Sequence, residues 1–319
     1  MDKVIQIDAN FIETNTNFID LISAIKIGFS SKDIIVPMRH HHDFPNPAVG
    51  SDSTMLLMPA WNPSKEAGVK IIAVSPENSQ FNLPSINGTY IYLDAKKGLL
   101  KAILEAKSLT AKRTAATSAL VSSFLSRIDS STMLMIGTGA LSKNLIKAHA
   151  SVRPIQQVYV WGRNIEKAKT ICKELSNEDF SIETINNIED KISEVDIISC
   201  ATLSKTPLVL GKYLKSGQHI DLVGAYRKDM READNETVLK SLVYVDTFQG
   251  GLKESGDIVI PLQEGIISEE DIKADLFELC SGKKRGRNSD DEITMFKSVG
   301  HALEDLVAAK YYYNIYINE

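Results

Sequence analysis

Residues 131–162, STMLMIGTGALSKNLIKAHASVRPIQQVYVWG, constrain the fold more than any other stretch of the chain. Met133, Leu134, Met135 and Ile136 form an apolar run of the length of a buried parallel strand. Gly137-Thr-Gly139 follows, and then a helical pattern with Leu141, Leu145, Ile146 and Ala148 on one side. A second apolar run, Val158-Tyr-Val-Trp161, ends at Gly162-Arg163-Asn164. Strand, glycine turn, helix and strand in that order make the unit that binds a dinucleotide. Gly137 permits the tight turn, Gly139 lets the backbone approach a pyrophosphate, and the first amides of the helix point towards phosphate oxygens. Gly137, Thr138, Gly139, Ala140 and Leu141 are therefore candidate cofactor contacts, although the third small position of the fingerprint is Ser142. A glycine turn with a purely structural role is the alternative.

The position that reads the ribose decides between cofactors. Dinucleotide sites for NAD carry an acidic residue about 20 residues after the glycines. Here the second strand ends in Arg163, with Trp161, Gly162 and Asn164 around it. An arginine offers a charged fork to a 2′-phosphate. The expectation is NADPH in preference to NADH, with a solvated Arg163 as the alternative. The remaining cofactor candidates are Thr114, Ala201 with Thr202, Val223 with Gly224, and Val299.

The whole chain is long enough, at 319 residues, for two domains with real cores. Its 43% hydrophobic and 24% charged content is that of a globular protein. The formal net charge of −5 argues against a nucleic-acid or membrane-surface binder. No apolar run approaches the ~18 residues of a membrane span. The N-terminus lacks a signal-peptide core, and the three cysteines, Cys172, Cys200 and Cys280, are far apart. These features predict a reduced, cytoplasmic protein.

Along the chain, Val4–Ile7 reads as a short strand and residues 17–30 as an amphipathic helix, with Phe18, Leu21, Ile22, Ile25 and Phe29 in register. Strand-like runs follow at Thr54–Met58, Val69–Val74 and Thr89–Leu93, so the N-terminal part predicts an α+β domain. Gly98–Lys107 and Thr110–Arg127 read as helices, the second with Arg113 in its first turn. The glycine-turn unit then continues through strands at Phe180–Thr184, Asp196–Ala201, Ile220–Val223 and Leu242–Val245, with helical segments such as Asn164–Leu175 between them. That alternation predicts a Rossmann-type, doubly wound parallel α/β sheet. Ser289-x-x-Glu292 reads as a capping box that starts a helix, interrupted at Gly300 and completed by Ala302–Tyr313. The final helix is expected to pack back on the first domain. The division expected is 1–112 with 301–319 as the substrate-binding and dimerisation domain, and 113–300 as the dinucleotide domain.

Lys70 is the most informative single residue, because it interrupts an apolar strand. A lysine there either snorkels at an edge or is paired and used. Arg39 and Arg113 are the other candidates for gripping a carboxylate. His40, His41 and His42 cannot all ligate one ion in an extended segment, since successive side chains point to opposite faces. No cluster completes a metal set, so no metal is expected, and a histidine lining a substrate pocket, His41, is the reading retained.

An ordered set of motifs runs along nearly the whole chain: Val36-Pro-Met-Arg39, Met58-Pro-Ala, Lys70 in GVKIIAV, Arg113-Thr-Ala-Ala, Gly137-Thr-Gly139, Gly224-Ala with Glu232, Phe296-Lys-Ser-Val-Gly300, and Glu304-Asp305. Together they resemble the ornithine cyclodeaminase/mu-crystallin family. The resemblance implies a homodimer of two-domain subunits with a Rossmann-type nicotinamide domain. It implies that Arg39, Lys70 and Arg113 are substrate carboxylate and active-site positions, with Lys70 and Arg113 catalytic. Met58, and Ser298 and Gly300 around Val299, are the further substrate contacts it implies.

Two departures bear on the activity. Cyclodeaminases of the family carry a glutamate where this chain has Leu56, and an aspartate where it has Tyr226. A carboxylate clamp in a pocket without acids suits reduction of a preformed C=N bond. The chain is similar to the Δ1-pyrroline-2-carboxylate reductase branch, which implies a cyclic imino acid as substrate and L-proline or L-pipecolate as product. Lys70, a histidine of the 40–42 segment and bound water remain the candidate proton donors. Ornithine cyclodeamination, amino-acid dehydrogenation and non-catalytic NADPH binding are the rival readings.

Overall fold

A computed structural model describes residues 4–318. The chain begins β1 (Ile5–Ile7), α1 (Ala9–Thr14), α2 (Phe18–Ser30), β2 (His40–Phe44), β3 (Ser53–Asn62), β4 (Glu66–Val74), β5 (Ile86–Asp94), β6 (Leu99–Glu105) and α3 (Ala106–Leu125). It continues with β7 (Thr132–Ile136), α4 (Ser142–Val152), β8 (Gln157–Trp161), α5 (Ile165–Glu174), β9 (Ser181–Thr184), β10 (Ile197–Cys200), β11 (His219–Leu222) and α6 (Asn235–Lys240). Last come β12 (Leu242–Val245), α7 (Phe248–Gly251), α8 (Gly256–Gln263), β13 (Ile272–Asp275), α9 (Leu276–Cys280), β14 (Thr294–Lys297) and α10 (Ala302–Asn318). Two compact units result: residues up to Arg113 with those from Ala302 onward, and Thr114–His301.

The first unit is a six-stranded sheet in the order β1-β6-β5-β4-β3-β2, antiparallel except for the β1–β6 pair. Alternate residues of its strands are buried, among them Met58, Ala60, Lys70, Tyr90, Tyr92, Ala102 and Leu104. α10 packs against β3, β4 and β5 and against α2. Asn17 starts α2 by accepting from the amides of Ile19 and Asp20. α10 approaches so closely that a Cβ on Gly28 of α2 would lie 2.8 Å from Val307 Cγ2. Tyr312 of α10 is buried, and its hydroxyl meets Thr16 Oγ1 at 2.8 Å. The last helix described thus belongs to the first unit.

The second unit is an eight-stranded sheet in the order β13-β12-β14-β11-β10-β7-β8-β9, parallel throughout. The chain runs outward from β7 to β9 on one side and then resumes at β10 on the other side of β7. That reversal is the topological switch point of a Rossmann-type sheet, where ligands bind at the carboxyl ends of the strands. The interior is apolar, built from Leu134, Ile136, Ile198, Ile220, Leu222 and Val245 among others. One buried carboxylate pins four elements to one another: Asp221 of β11 accepts from Ser118 of α3 and Ser199 of β10 and contacts His149 Nε2 of α4 at 3.2 Å.

Two expectations fail. Gly98–Lys107 is a strand followed by a helix start, not a helix. Gly98 adopts φ +68°, its amide donates to Asp94 O, and the Asp94 carboxylate accepts from the amides of Lys96 and Lys97. This turn returns the chain as a hairpin, and burial then alternates along β6. α3 consequently starts at Ala106, which puts Arg113 two turns inside it rather than in its first turn. Ser289-x-x-Glu292 starts no helix either. Glu292 folds back onto the Asn288 amide in a turn that feeds β14. β14 lies between β11 and β12 and is buried at every residue, so it carries no period of two to betray a strand.

Candidate active site

In the first unit Lys70 is almost fully buried, at 3% exposure, and does not snorkel. Its Nζ lies 2.9 and 2.8 Å from the two oxygens of Asp305, with Thr110 Oγ1 at 3.4 Å. Arg113 donates through Nε to Asp305 Oδ1 at 2.9 Å and through Nη1 to Glu304. Both acids stand in the first turn of α10, where the helix dipole favours negative charge. The expectation of a surrounding without acids is therefore wrong. The two acids came from the far end of the chain, and only packing of α10 on the sheet brings them to Lys70 and Arg113.

Charge regulates this group. Burial pulls the Lys70 pKa down to about 8, with Arg113 and Arg39 adding to the shift and Asp305 opposing it. Burial also disfavours the Arg113 cation, but Asp305 and Glu304 outweigh it and raise that pKa. For Asp305 burial is likewise overcome, by Arg113 and Lys70, and the carboxyl is held below its usual range. Tyr90 is fully buried, its hydroxyl without a hydrogen-bond partner among the described residues, and it occupies the space a side chain at Gly68 would need. Sequence reasoning missed Tyr90 and the role of Glu304 and Asp305, although the two acids were visible as a motif.

The strand register sorts the other substrate candidates. Met58 is directly opposite Lys70, and Leu56, two residues earlier, shares that face. His41 is opposite Leu56 and so points the same way, whereas His40 and His42 face the other side, their rings 6.1 Å apart. Burial, with Arg39 beside it, lowers the His41 pKa. Among the described residues no group of three or more His, Cys, Asp or Glu is placed to hold a metal ion.

In the second unit the cofactor candidates gather at the carboxyl ends of β7, β8, β10 and β11. Gly137 has φ +118°, and a Cβ there would lie 2.6 Å from Ala201 O. A Cβ at Gly162 would strike Thr138, and one at Gly224 would lie 2.0 Å from Thr202 N. Val223 donates to Cys200 O, joining the two loops further. Space in front of Gly139 is open, with nothing within 4 Å of a would-be Cβ. No side chain caps the start of α4, and Ser142 donates its hydroxyl to Gly137 O, which explains why a serine suits the third position. A turn that is open in front of Gly139, beside an uncapped helix start, fits a dinucleotide pyrophosphate.

The end of β8 divides its candidates. Asn164 spends its side-chain oxygen capping α5, and Trp161 donates to Asn186 O, while Arg163 is exposed. Thr114 is buried on α3. Ser298, Val299 and Gly300 hang on one carboxylate that the sequence did not reveal: Asp246 Oδ2 accepts from the Val299 and Gly300 amides at 2.6 and 2.7 Å and contacts Ser298 Oγ at 3.3 Å. Arg39, His41, Met58, Lys70 and Arg113 belong to the first unit; Ser298 and Gly300 belong to the second.

Asp305→Asn leaves two buried cations short of a carboxylate, and breaking a buried pair costs about 3–5 kcal/mol. The expected outcome is a fall of several degrees in the melting temperature, together with a Lys70 pKa below that of the parent protein, read from the pH dependence of lysine modification.

Comparison with known proteins follows this geometry. A Δ1-pyrroline-2-carboxylate reductase of Colwellia psychrerythraea is 36% identical over 306 residues, covering 95% of this chain and 96% of its own. The structure of the Thermococcus litoralis Δ1-pyrroline-2-carboxylate reductase, in complex with NADH and L-proline, superposes with a TM-score of 0.92 at 33% identity over 99% of this chain and 98% of that one. An archaeal alanine dehydrogenase dimer with bound NAD gives a TM-score of 0.90 at 25% identity over 99% and 96%. Residues 3–318 match the sequence pattern of one family, and the chain belongs to it: the ornithine cyclodeaminase/mu-crystallin family.

Proposed function

We propose that this protein reduces the C=N bond of a cyclic 2-imino acid, Δ1-pyrroline-2-carboxylate or its six-membered homologue, with NAD(P)H, giving L-proline or L-pipecolate. The observation that carries the reading is Lys70, a buried lysine with its pKa brought to about 8 and its ammonium oriented by Asp305. A general acid works best with a pKa near the working pH. The close relatives named for this reaction support the same substrate. Leu56 adds to it: on the Lys70 face of β3, it offers no carboxylate to a second ammonium such as that of ornithine.

When bound, the nicotinamide supplies the hydride that the imine carbon accepts; the chain supplies the rest. Lys70 and Arg113 are largely matched by Asp305 and Glu304, and Arg39 brings a third positive charge close enough to lower the Lys70 pKa. Three cations this close to one another suit a substrate that carries a carboxylate. Lys70 gives its proton to the imine nitrogen and regains one from solvent. Glu304 and Asp305 hold the two cations in place, so substrate meets groups already oriented. Gly137 to Leu141, with Ala201, Thr202, Val223 and Gly224, would hold the dinucleotide, and Arg163 would read its 2′-phosphate. NADPH is thus preferred and NADH accepted.

The first unit has a second sheet face, formed by Leu57, Val69, Ile71, Ile91 and Ile103, which is apolar and only half covered. Such a face needs a partner. A second copy of the chain meets that need in a homodimer.

The decisive assay follows NADPH absorbance with five- and six-membered cyclic imines, with ornithine plus NAD as the control. Oxidation with the imine alone is expected; turnover of ornithine and silence with the imine would overturn the reading. Because Lys70 is active as the ammonium, kcat/KM should fall as pH rises through about 8. Lys70→Met should lose at least about 100-fold in kcat/KM together with that pH limb, and near-normal turnover would remove Lys70 from the chemistry. Arg163→Ala should weaken NADPH much more than NADH, so equal losses for both would mean that Arg163 reads no phosphate. Ile71→Asp should convert the dimer to monomer in sedimentation; an unchanged mass would place the interface elsewhere.

A further inference from the structure

A second buried ion cluster lies at the carboxyl edge of the parallel sheet, apart from Lys70 and its partners. Glu232, Asp257 and Lys297 are each fully buried. Lys297 is the last residue of β14 and stands immediately before the Ser298–Gly300 loop. Its Nζ lies 3.0 Å from Asp257 Oδ2 and 3.6 Å from Glu232 Oε2. Asp257, in the first turn of α8, uses its other oxygen to accept from the backbone amides of Glu232 and Ala233 at 2.7 and 3.1 Å.

Glu232 faces the strand ends. Its Oε1 accepts from Thr202 N at 2.6 Å and from Thr202 Oγ1 at 2.9 Å. Its Oε2 accepts from the amides of Gly224 and Ala225 at 2.8 and 3.1 Å. Thr202 follows β10, and Gly224 and Ala225 follow β11. Amides that leave a sheet in tight loops have lost their ladder partners and need an acceptor. A carboxylate can serve several at once, which no neutral side chain of this size can do. Two acids buried against one lysine are costly to maintain: burial raises the Glu232 pKa, Lys297 opposes the shift, and Asp257 adds to it. A purely structural clamp between two loops needs only a neutral hydrogen bond or two.

We infer that Glu232 is a positioning residue for the nicotinamide cofactor, its carboxylate paired with Lys297 and its backbone amide held by Asp257, and in turn fixing the Thr202 and Gly224 loops against which the dinucleotide lies. The inference rests on the cofactor reading given above. Lys297 also couples this clamp to the loop that follows β14, which Asp246 anchors from the other side. Two carboxylates therefore hold the loops after β10, β11 and β14.

The experiment is direct titration of NADH without substrate, by quenching of protein fluorescence, on folded wild type, Glu232→Gln, Lys297→Met and Lys297→Arg, with melting temperatures measured in parallel. In Glu232→Gln the amide NH2 faces the donors of one loop, removing at least one charge-assisted bond. The expected rise in Kd is at least about tenfold. Lys297→Met should weaken NADH similarly, and Lys297→Arg, which keeps the charge, should bind within about threefold of wild type. Should Lys297→Met fail to fold, Asp257→Asn disturbs the same lysine: it keeps the oxygen that accepts from Glu232 and Ala233 but sets an NH2 against Lys297, and it should likewise weaken NADH. A lowered melting temperature with unchanged Kd in Glu232→Gln would show a structural role alone and overturn the inference. Wild-type protein that binds neither NADH nor NADPH would overturn the cofactor reading as well, so the two failures are told apart by the wild type.

Discussion

The first unit depends on Asp305. Lys70 stands in a sheet and Arg113 in a helix, both in places where a lone cation is strongly disfavoured. One carboxylate accepts from both, and Glu304 beside it takes the second branch of the arginine. Remove that negative charge and the buried face of β4 no longer tolerates a lysine. Keep it, and burial can draw the lysine down to a pKa of about 8 while the site holds together. Stability and reactivity here arise from one balance, in which the acids prevent the lysine from becoming neutral and burial prevents it from becoming an ordinary surface ammonium.

The second unit solves a related problem with the opposite emphasis. Its strand-end loops must approach a ligand backbone-first, so they are rich in glycine and poor in side chains that hold them in place. Gly137, Gly162 and Gly224 let four loops touch where any Cβ would collide. A buried acid behind two of those loops, Glu232, then supplies the rigidity that glycine takes away, and Asp246 does the same for the loop after β14.

Much of this was legible in the sequence because it is local. The strand, glycine turn and helix at 132–152, the amphipathic α2 and the helix of α10 each follow from residues close together in the chain. β6 was misread because LLKAILE fits either period, and the turn at Asp94–Gly98 that decides it is a matter of side-chain-to-backbone bonds. β14 was misread because a strand buried on both faces shows no alternation. The site was half legible. Lys70 announced itself by sitting among apolar residues, whereas Asp305 is 235 residues away and looks like an ordinary acid in the first turn of a helix. Asp246 and Asp257 gave no signal either, and Lys297 stood only as one letter of the 296–300 motif, since a charge is conspicuous in sequence only when its neighbours are apolar in a recognisable period.

The placement of α10 also bears on how the chain is made. Every residue of the second unit is synthesised before the helix that completes the first. On the ribosome the parallel sheet can close around its own core while β4 waits with Lys70 exposed and α2 lacks the surface that Gly28 was shaped to receive. The lysine stays hydrated and ordinary during that interval. Its unusual acidity is acquired only once α10 brings Asp305 to it and the strand face is covered.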